Sequence, residues 1–299
     1  MVPQERGEAL QSTAWPPLRA TGQCRGTFGE LMQGVLPGGR HFLVTLPVNL
    51  MSIVEFQVKD GPAVVCNIAC RTKACRAAQD YLRLHGLPPG GQLHFQSVFP
   101  AGKGLASSSA DMVAVIRATA RAHGREVETG TIESILRGIE PTDGVMYDGI
   151  VSFYHREVKL DEQLGETPEL MIVGIDRGGE CDTIEFNRTR CAVSSALCSE
   201  YHALLDDMKS ATRAADLRRI GEVATRSCEI SQAFNPHPHI GHLRALKDET
   251  CALGMVAAHS GTYIGLLYGA RDPECAAKAF HAQKRLQALD ISTHLYTTA

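Results

Sequence analysis

The chain has 299 residues, of which 44% are hydrophobic, and its formal net charge is −3. This length allows a sizeable core in one large or two ordinary domains. Without a basic surplus, neither nucleic acid nor an anionic membrane is an expected partner, and a small-molecule ligand is favoured. The sequence has no apolar run of membrane-spanning length, and its opening segment does not resemble a signal peptide, so we expect a cytoplasmic protein.

Residues that often bind metals occur in two places, and neither pattern favours a metal site. The ten cysteines include no CxxC pair, and their one cluster is Cys66, Cys70 and Cys75, whose spacing fits no zinc template. We interpret the cysteines as small buried hydrophobic residues. Three histidines lie in NPHPHIGH, residues 235–242. Two prolines there predict a loop that lines a pocket or the surface, without a metal.

The first part of the chain predicts a tail, a glycine-rich patch and two strands. Residues 1–20 are polar and predict a loosely packed tail. In Gly22–Gly34, GQCRGTFGELMQG, four glycines accompany Glu30, a candidate ligand contact. A hairpin with a solvated glutamate is the alternative, and this patch alone does not decide between them. The next apolar segments predict strands over His41–Leu46 and Met51–Val58, joined at a proline.

A helix and a strand precede the densest motif. Apolar residues at helical spacing predict a covering helix over Ala69–His85, and alternation predicts a strand over Gln92–Phe99. Phe99–Asp111, FPAGKGLASSSAD, then has two glycines and three consecutive serines before a helix predicted from Ala106 to about His123. Backbone N–H groups can approach an anion closely here, so the segment predicts a phosphate-binding loop. An ordinary Ser-capped helix is the alternative.

Two carboxylates follow the next predicted helix, Thr131–Ile139. Glu140 and Asp143 lie three residues apart across a helix-breaking proline, so they can point into one cleft, where one would hold a metal and the other would handle a proton. A simple turn is the alternative, because this composition is common in turns. A strand is predicted over Gly149–Tyr154. Residues 157–168, EVKLDEQLGETP, indicate a charged, turn-rich domain boundary.

The second half predicts strands mixed with helices, which is typical of an α+β layer. The predicted strands are residues 170–175, 182–187 and 291–296 and two that flank a turn at His259–Thr262; the predicted helices are Ser194–Met208, Leu217–Phe234, His242–Leu253 and Asp272–Leu289. The turn, His-Ser-Gly-Thr, could hold phosphate or line a cleft, with a plain hairpin as the alternative. The predicted division is a tail (1–20), a first domain (21–165) and a second domain (166–299).

Three separated patches, GTFGELMQG, PAGKGLASSSAD and AAHSGTYIG, together resemble the GHMP kinase superfamily, which includes galactokinase, homoserine kinase and mevalonate kinase. The resemblance covers about residues 21–296. Its middle motif, Pro-x-x-x-Gly-Leu-x-Ser-Ser-x-Ala, is matched by Pro100, Gly104, Leu105, Ser107, Ser108 and Ala110. Within the superfamily, CRGTFGELMQG, IEPTD and AHSGTYIGL are most similar to the L-threonine kinases that make O-phospho-L-threonine for cobalamin assembly.

This resemblance implies an α+β, two-domain GHMP kinase fold, with an N-terminal domain like domain 2 of ribosomal protein S5 and a ferredoxin-like C-terminal domain. ATP and the acceptor would meet between them. The implied ATP-phosphate loop comprises Pro100, Gly102, Lys103, Gly104, Leu105, Ala106, Ser107, Ser108 and Ser109. Ser108 and Glu140 would hold Mg²⁺, and Asp143 would orient or deprotonate the acceptor hydroxyl. Further substrate contacts would come from Glu30, Ser260 and Gly261.

One departure from the family pattern and one lysine of the loop bear on these expectations. Many members carry Pro-Gly-Lys in the first motif, where this chain has Gln23-Cys24-Arg25, so the role of that lysine is not transferred to Arg25. Lys103 is equally compatible with a phosphate contact and with a solvated position. We expect an ATP- and Mg²⁺-dependent kinase with L-threonine as acceptor. Serine, homoserine or another small alcohol stays open as the acceptor, as do a catalytically silent nucleotide- or metabolite-binding regulator and a homodimer.

Overall fold

A computed structural model describes residues 18–69, 71–97, 99–181 and 193–298. The strands in these ranges are β1 (Arg19–Val35), β2 (His41–Val58), β3 (Val64–Cys66), β4 (Gly91–Ser97), β5 (Ile150–Tyr154), β6 (Lys159–Gly165), β7 (Leu170–Asp176), β8 (Gly254–Ala257), β9 (Tyr263–Gly269) and β10 (Thr293–Thr297). The helices are α1 (Thr72–Leu84), α2 (Ser107–Ala122), α3 (Thr129–Arg137), α4 (Ser195–Arg213), α5 (Leu217–Ser231), α6 (Ile240–Glu249) and α7 (Cys275–Gln287). The strand predicted over 182–187 lies outside the described residues.

The ten strands form one sheet in the order β10-β7-β9-β8-β1-β2-β4-β3, with β5 paired to β2 and to β6. The pairings are antiparallel except that of β3 with β4, and the mixture of helices and sheet confirms the predicted α+β class. β1 links the two halves, because it pairs with β2 along most of its length and with β8 at Glu30, opposite Ala257. Glu30 therefore lies at the junction. The division at residue 165 stays a prediction.

Helix α2 is the buried centre of the first half. Its apolar residues Met112, Val113, Val115 and Ile116 are fully buried, and it packs on β1, β2 and α1. The approach to β1 is close, since a Cβ added at Gly22 would lie 2.1 Å from the carbonyl oxygen of Ala114. This packing holds the start of α2 in a defined position against β1.

The prediction of two strands within residues 41–58 was wrong, because β2 continues through Pro47. Pro47 lies opposite Thr27, and the pairing register of β1 shifts on both sides of Thr27. A proline without an N–H group is tolerated where the regular ladder of hydrogen bonds is already interrupted. The irregularity in β1 thus allows one long strand where the sequence predicted two.

Residues 157–168, predicted as a turn-rich boundary, contain β6, so the prediction of a turn-rich segment was also wrong. β6 pairs with β5 and has no partner on its other side among the described strands. Charged side chains are common on such edge strands because they discourage pairing with another chain. Here Asp161 and Glu162 are held by Lys209 of α4, at 2.9 and 3.0 Å respectively.

Candidate active site

The predicted phosphate loop is a chain of left-handed residues that leads into α2. Gly102, Gly104 and Ala106 have φ values of 69°, 82° and 55°. Ala106 is the N-cap of α2 and makes no side-chain capping bond, so the alternative of an ordinary Ser-capped helix was wrong. The serines at 107–109 form the first helical turn instead. Uncapped N–H groups at a helix start, together with the helix dipole, suit an anion.

Backbone hydrogen bonds join the three separated patches at this loop. Thr27 N donates to the carbonyl oxygen of Leu105 at 3.2 Å, and Gly29 N donates to that of Gly104 at 3.0 Å. Thr262 N donates to the carbonyl oxygen of Lys103 at 3.1 Å. A Cβ at Gly104 would lie only 2.2 Å from the Cβ of Ala258. The loop is thus clamped between β1 and the His-Ser-Gly-Thr turn, which is more than a plain hairpin.

Two serines of the first helical turn bind the two predicted carboxylates. The hydroxyl of Ser108 donates to Oε1 of Glu140, while Lys73 Nζ donates to Oε2. Ser109 Oγ donates to Oδ2 of Asp143 at 3.2 Å and accepts from the Asp143 backbone N–H at 3.2 Å. Pro141 directs the chain so that both carboxylates face the start of α2, which a simple solvent-exposed turn would not do.

Asp143 and Glu30 lie in surroundings that favour their protonated forms. Burial, with a further contribution from the charge of Glu140, raises the pKa of Asp143 to about 6, although the hydrogen bond from Ser109 acts to lower it. Burial and the nearby Asp143 raise the pKa of Glu30 well above its ordinary value. Oε2 of Glu30 is buried and has no hydrogen-bond partner among the described residues. Perturbed acids grouped in a cleft are typical of active sites.

Residues 70–154 match the family described as GHMP kinases N terminal domain. The match contains α1, the phosphate loop, α2 and both serine-bound carboxylates. Two L-threonine kinases are similar over most of both chains: that of Citrobacter freundii is 28% identical over 83% of this chain and 86% of its own, and that of Salmonella typhimurium is 27% identical over 89% of each. The predicted resemblance to the GHMP kinases is thus confirmed, with residues 70–154 matching the N-terminal domain of that family. The chain is therefore a phosphotransferase with a hydroxyl group as acceptor.

Solved GHMP kinase structures have the same fold. The homoserine kinase of Cytophaga hutchinsonii matches with a TM-score of 0.76 and 15% identity over 98% of this chain and 97% of its own. The mevalonate kinase of Methanococcus jannaschii matches with a TM-score of 0.69 and 14% identity over 96% and 99%. These likenesses confirm the predicted two-domain GHMP fold. At such low identity they concern the fold and not the acceptor.

Most of the predicted site residues of this GHMP kinase line one cleft. Its walls are Glu30, Gly102, Gly104, Leu105, Ala106, Ser107, Ser108, Ser109, Glu140, Pro141, Asp143, His259 and Ser260. Gly261 packs beneath the loop, where an added Cβ would lie 2.3 Å from the carbonyl oxygen of Lys103. The ammonium group of Lys103 contacts Asp176 Oδ2 and the carbonyl oxygen of Gly179, each at 2.7 Å. Lys103 and Pro100 are outside the lining of the cleft.

Sequence reasoning did not single out two groups at this GHMP kinase cleft. Lys73 was included only as one basic residue of a covering helix, yet its ammonium group reaches Glu140. Oε1 of Gln33 accepts a hydrogen bond of 2.7 Å from Nδ1 of His259. The helical spacing predicted α1 but could not indicate that one of its exposed residues reaches a carboxylate 67 positions away.

The histidine and cysteine motifs lie apart from this cleft or behind it. His237 is buried, and Asn235 Nδ2 donates to the carbonyl oxygen of Gly261 at 3.0 Å, so this segment supports the turn of the site. α6 begins at Ile240, two residues before the helix predicted from His242, so the loop predicted over residues 235–242 was wrong at its end. Cys70 is outside the described residues. Among those described, no three His, Cys, Asp or Glu side chains are arranged to hold a metal, and no helix is long and apolar enough to cross a bilayer.

Proposed function

We propose that this GHMP kinase transfers the γ-phosphoryl group of ATP to the side-chain hydroxyl of L-threonine, forming O-phospho-L-threonine, the product that the sequence resemblance links to cobalamin assembly. The observation that carries the proposal is the convergence of Glu140 and Asp143 on two serines at the uncapped start of α2. The two similar L-threonine kinases support the choice of acceptor, since each aligns with most of this chain.

The phosphate loop would bind the ATP phosphates. Residues 102–106 include three left-handed positions, and the first turn of α2 adds N–H groups that no side chain caps. Phosphoryl transfer requires mainly positioning and neutralisation of charge, and a rigid nest of N–H groups supplies both. The backbone clamp from β1 and the His-Ser-Gly-Thr turn would keep these groups in place before the nucleotide binds.

The donors at Glu140 and Ser108 fit a magnesium ion. A carboxylate and a hydroxyl are hard oxygen donors, and here they are hydrogen-bonded to each other, so one ion could contact both. Mg²⁺ is usually bound by one or two carboxylates together with substrate phosphates and water, so two protein donors are enough. When bound, Mg²⁺ would neutralise charge on the phosphates. Although Glu140 and Asp143 lie only three residues apart, they bind different serines, so an ion at Glu140 and Ser108 would not require Asp143 as a ligand.

Asp143 would act as the base. With a pKa of about 6 it is mostly ionised near neutral pH, yet it holds a proton more strongly than an exposed aspartate does. It would take the proton from the acceptor hydroxyl as the oxygen bonds to the γ-phosphorus and the bond from phosphorus to the β-γ bridging oxygen of ATP breaks. The proton later leaves to water, and ADP carries away the leaving oxygen. Ser109 would hold Asp143 in position.

Glu30 supports an amino acid as the acceptor. Its buried Oε2 has no hydrogen-bond partner among the described residues, and burying a carboxylate oxygen without a partner is costly. An α-ammonium group would supply both a hydrogen bond and a positive charge. Ser260 and His259 would line the same side of the acceptor from the second half of the chain. A neutral alcohol would leave Glu30 without a positively charged partner.

The acceptor pocket has to distinguish between closely similar hydroxyl amino acids. A small pocket separates acceptors that differ by one methylene by only about 1–3 kcal/mol, so serine and homoserine are the direct competitors. The alternative that is not an enzyme is a catalytically silent regulator that binds a nucleotide or a metabolite. The presence of both Asp143 and the serine-bound Glu140 speaks against silence, because nucleotide binding alone does not need a base.

A coupled assay of ADP release tests the proposal. We expect turnover that depends on L-threonine, with serine and homoserine slower, and no stimulation by an alcohol that lacks the amino group. Glu30→Gln should raise the KM for threonine more than that for ATP. ADP release stimulated most by another acceptor would overturn threonine, and nucleotide binding without any acceptor-dependent turnover would favour the regulator.

A further inference from the structure

The cleft has an excess of negative charge for a site that would bind a polyanion. Glu140 and Asp143 bring negative charge to its lining, and Glu30 is a third acid there, although burial raises the pKa of Glu30 and favours its neutral form. The ATP phosphates would add more negative charge, so a positively charged side chain is needed nearby in addition to any metal ion. The cleft lining described above includes no lysine or arginine.

The two cations considered from the sequence do not meet this need. Lys103 is bound to Asp176 and to a backbone carbonyl, and its side chain is mostly buried in that arrangement. Arg25 lines a different cavity, together with Asp148 and Glu166. The first motif has no lysine, and the thiol of Cys24 is buried against the carbonyl oxygen of Val145.

Lys73 reaches the cleft from α1. Its ammonium group contacts Oε2 of Glu140, the oxygen that Ser108 leaves available. The side chain of Lys73 is 45% exposed, whereas that of Glu140 is 4% exposed. A half-exposed lysine on a flexible four-carbon stem can exchange one anionic partner for another, provided that another cation then takes its place at the buried Glu140 carboxylate.

The other basic residues along α1 have different partners. Arg71 is paired with buried Asp111, Arg76 donates to the carbonyl oxygen of Gly138, and Arg83 pairs with Asp80. These contacts fix the helix to its surroundings or lie on its outer surface. Lys73 differs because its partner is a carboxylate of the cleft.

We infer that Lys73 is a phosphate-binding residue that moves between two partners. In the empty cleft it neutralises Glu140. When a divalent cation binds Glu140, the ammonium group of Lys73 turns to the nucleotide phosphates and balances their charge during transfer. This inference rests on the proposed function, because it takes the ligand of the loop to be a nucleotide with a divalent cation.

Two binding measurements on the full chain test the inference without measuring activity. Binding of ADP without metal is measured by calorimetry, and binding of Mn²⁺ without nucleotide is measured by electron paramagnetic resonance. Lys73→Met should weaken ADP binding about tenfold or more, because a charged hydrogen bond to phosphate is lost. The same variant should bind Mn²⁺ several-fold more tightly, because Glu140 then has no competing cation. Lys73→Arg should restore most of the ADP affinity.

Arg83→Met is the matched control, since it removes one positive charge from the same helix at its far end. It should change neither affinity, and the melting temperatures of both variants should stay near that of the parent chain. Unchanged ADP and Mn²⁺ affinities in Lys73→Met would overturn the inference, as would a weakening of both, which indicates local damage. If the parent chain binds ADP but shows no turnover with any acceptor, the proposed function is wrong. The ADP and Mn²⁺ affinities of Lys73→Met still test the role of Lys73 in that case.

Discussion

Carboxylates occur in two contrasting clusters of this GHMP kinase. In the β6–α4 cluster, Asp161 accepts hydrogen bonds from Ser152, Tyr154 and Lys209, at 2.9, 2.6 and 2.9 Å. Burial acts to raise the pKa of Asp161, but these hydrogen bonds lower it overall. In the cleft, Asp143 has one serine as its hydrogen-bonding side chain, and its pKa is raised.

The contrast separates a stabilising group from a reactive one. A carboxylate with a full set of donors and a cation is stabilised as an anion, so it strengthens the fold at neutral pH. A buried carboxylate beside other carboxylates lowers stability when it is ionised, but it can take up a proton near neutral pH. Removing an ionised carboxylate from the cleft is therefore expected to stabilise the folded protein and to lower its activity.

The largest expected effect is on catalysis. Asp143→Asn should lower kcat by about 10²–10⁴-fold, because the variant cannot accept the acceptor proton, while the Kd for nucleotide stays nearly unchanged. Steady-state kinetics and calorimetry measure the two quantities. Asp161→Asn is the control, and its kcat should stay within about twofold of the parent value. A kcat near the parent value in Asp143→Asn would show that another group acts as the base.

The phosphate loop should tolerate little added volume. Gly104→Ala should lower the free energy of unfolding by about 2–4 kcal/mol and abolish most activity, because the new methyl group would overlap Ala258. Gly38→Ala is a matched control, since Gly38 also has a positive φ, 90°, but nothing lies within 4 Å of an added Cβ. Gly38→Ala should cost only about 1 kcal/mol in chemical denaturation. Equal losses of unfolding free energy in the two variants would mean that backbone strain at a positive φ causes both losses, without a contribution from overlap with Ala258.

The stability of Asp143→Asn tests the electrostatic side of the contrast. The pKa of Asp143 lies near 6 in the folded chain and near 3.9 in the unfolded one, so stability falls as the pH rises between these values. At pH 7.5 the variant should be more stable than the parent by about 1–3 kcal/mol, and the gain should vanish near pH 4. Urea denaturation across pH 4–8 measures this, and a variant that is less stable at pH 7.5 would refute it.

Asp161→Asn should behave in the opposite way. Because the pKa of Asp161 is lowered on folding, its stabilising effect is present above the unfolded pKa of about 3.9 and is lost as the pH falls through the folded value. At pH 7.5 the variant should be less stable by about 1–2 kcal/mol. The same urea series measures the loss. A loss that is independent of pH down to the acid limit would point to packing and not to charge.

The sequence predicted local features where small residues or spacing decide the structure. The start of α2 and the carboxylates at 140 and 143 could be read from it, because glycines, serines and a proline restrict the backbone strongly. The register shift around Thr27 could not, and with it the continuity of β2 through Pro47, because pairing with a distant segment determined both.

The contacts of long side chains were the least predictable part of the site. Lys73 lies on a helix whose spacing gave only a covering role, and Lys103 lies within the motif but turns to Asp176. The acidic partner of each lysine is determined by which carboxylates tertiary packing brings near it. Its position in the sequence does not predict that partner. The family resemblance likewise supplied the two-domain topology, which the periodicity did not.

The central claim is that Asp143 is a buried base whose raised pKa matters for transfer. Its most direct test is the pH dependence of kcat/KM between pH 5 and 8, measured from the ADP that the parent chain and Asp143→Asn release with L-threonine, the proposed acceptor. The parent profile should fall on the acid side with an apparent pKa near 6, and the variant should be slow with that fall absent. The same acid-side fall in both proteins, or a parent profile that is flat down to pH 5, would contradict the account.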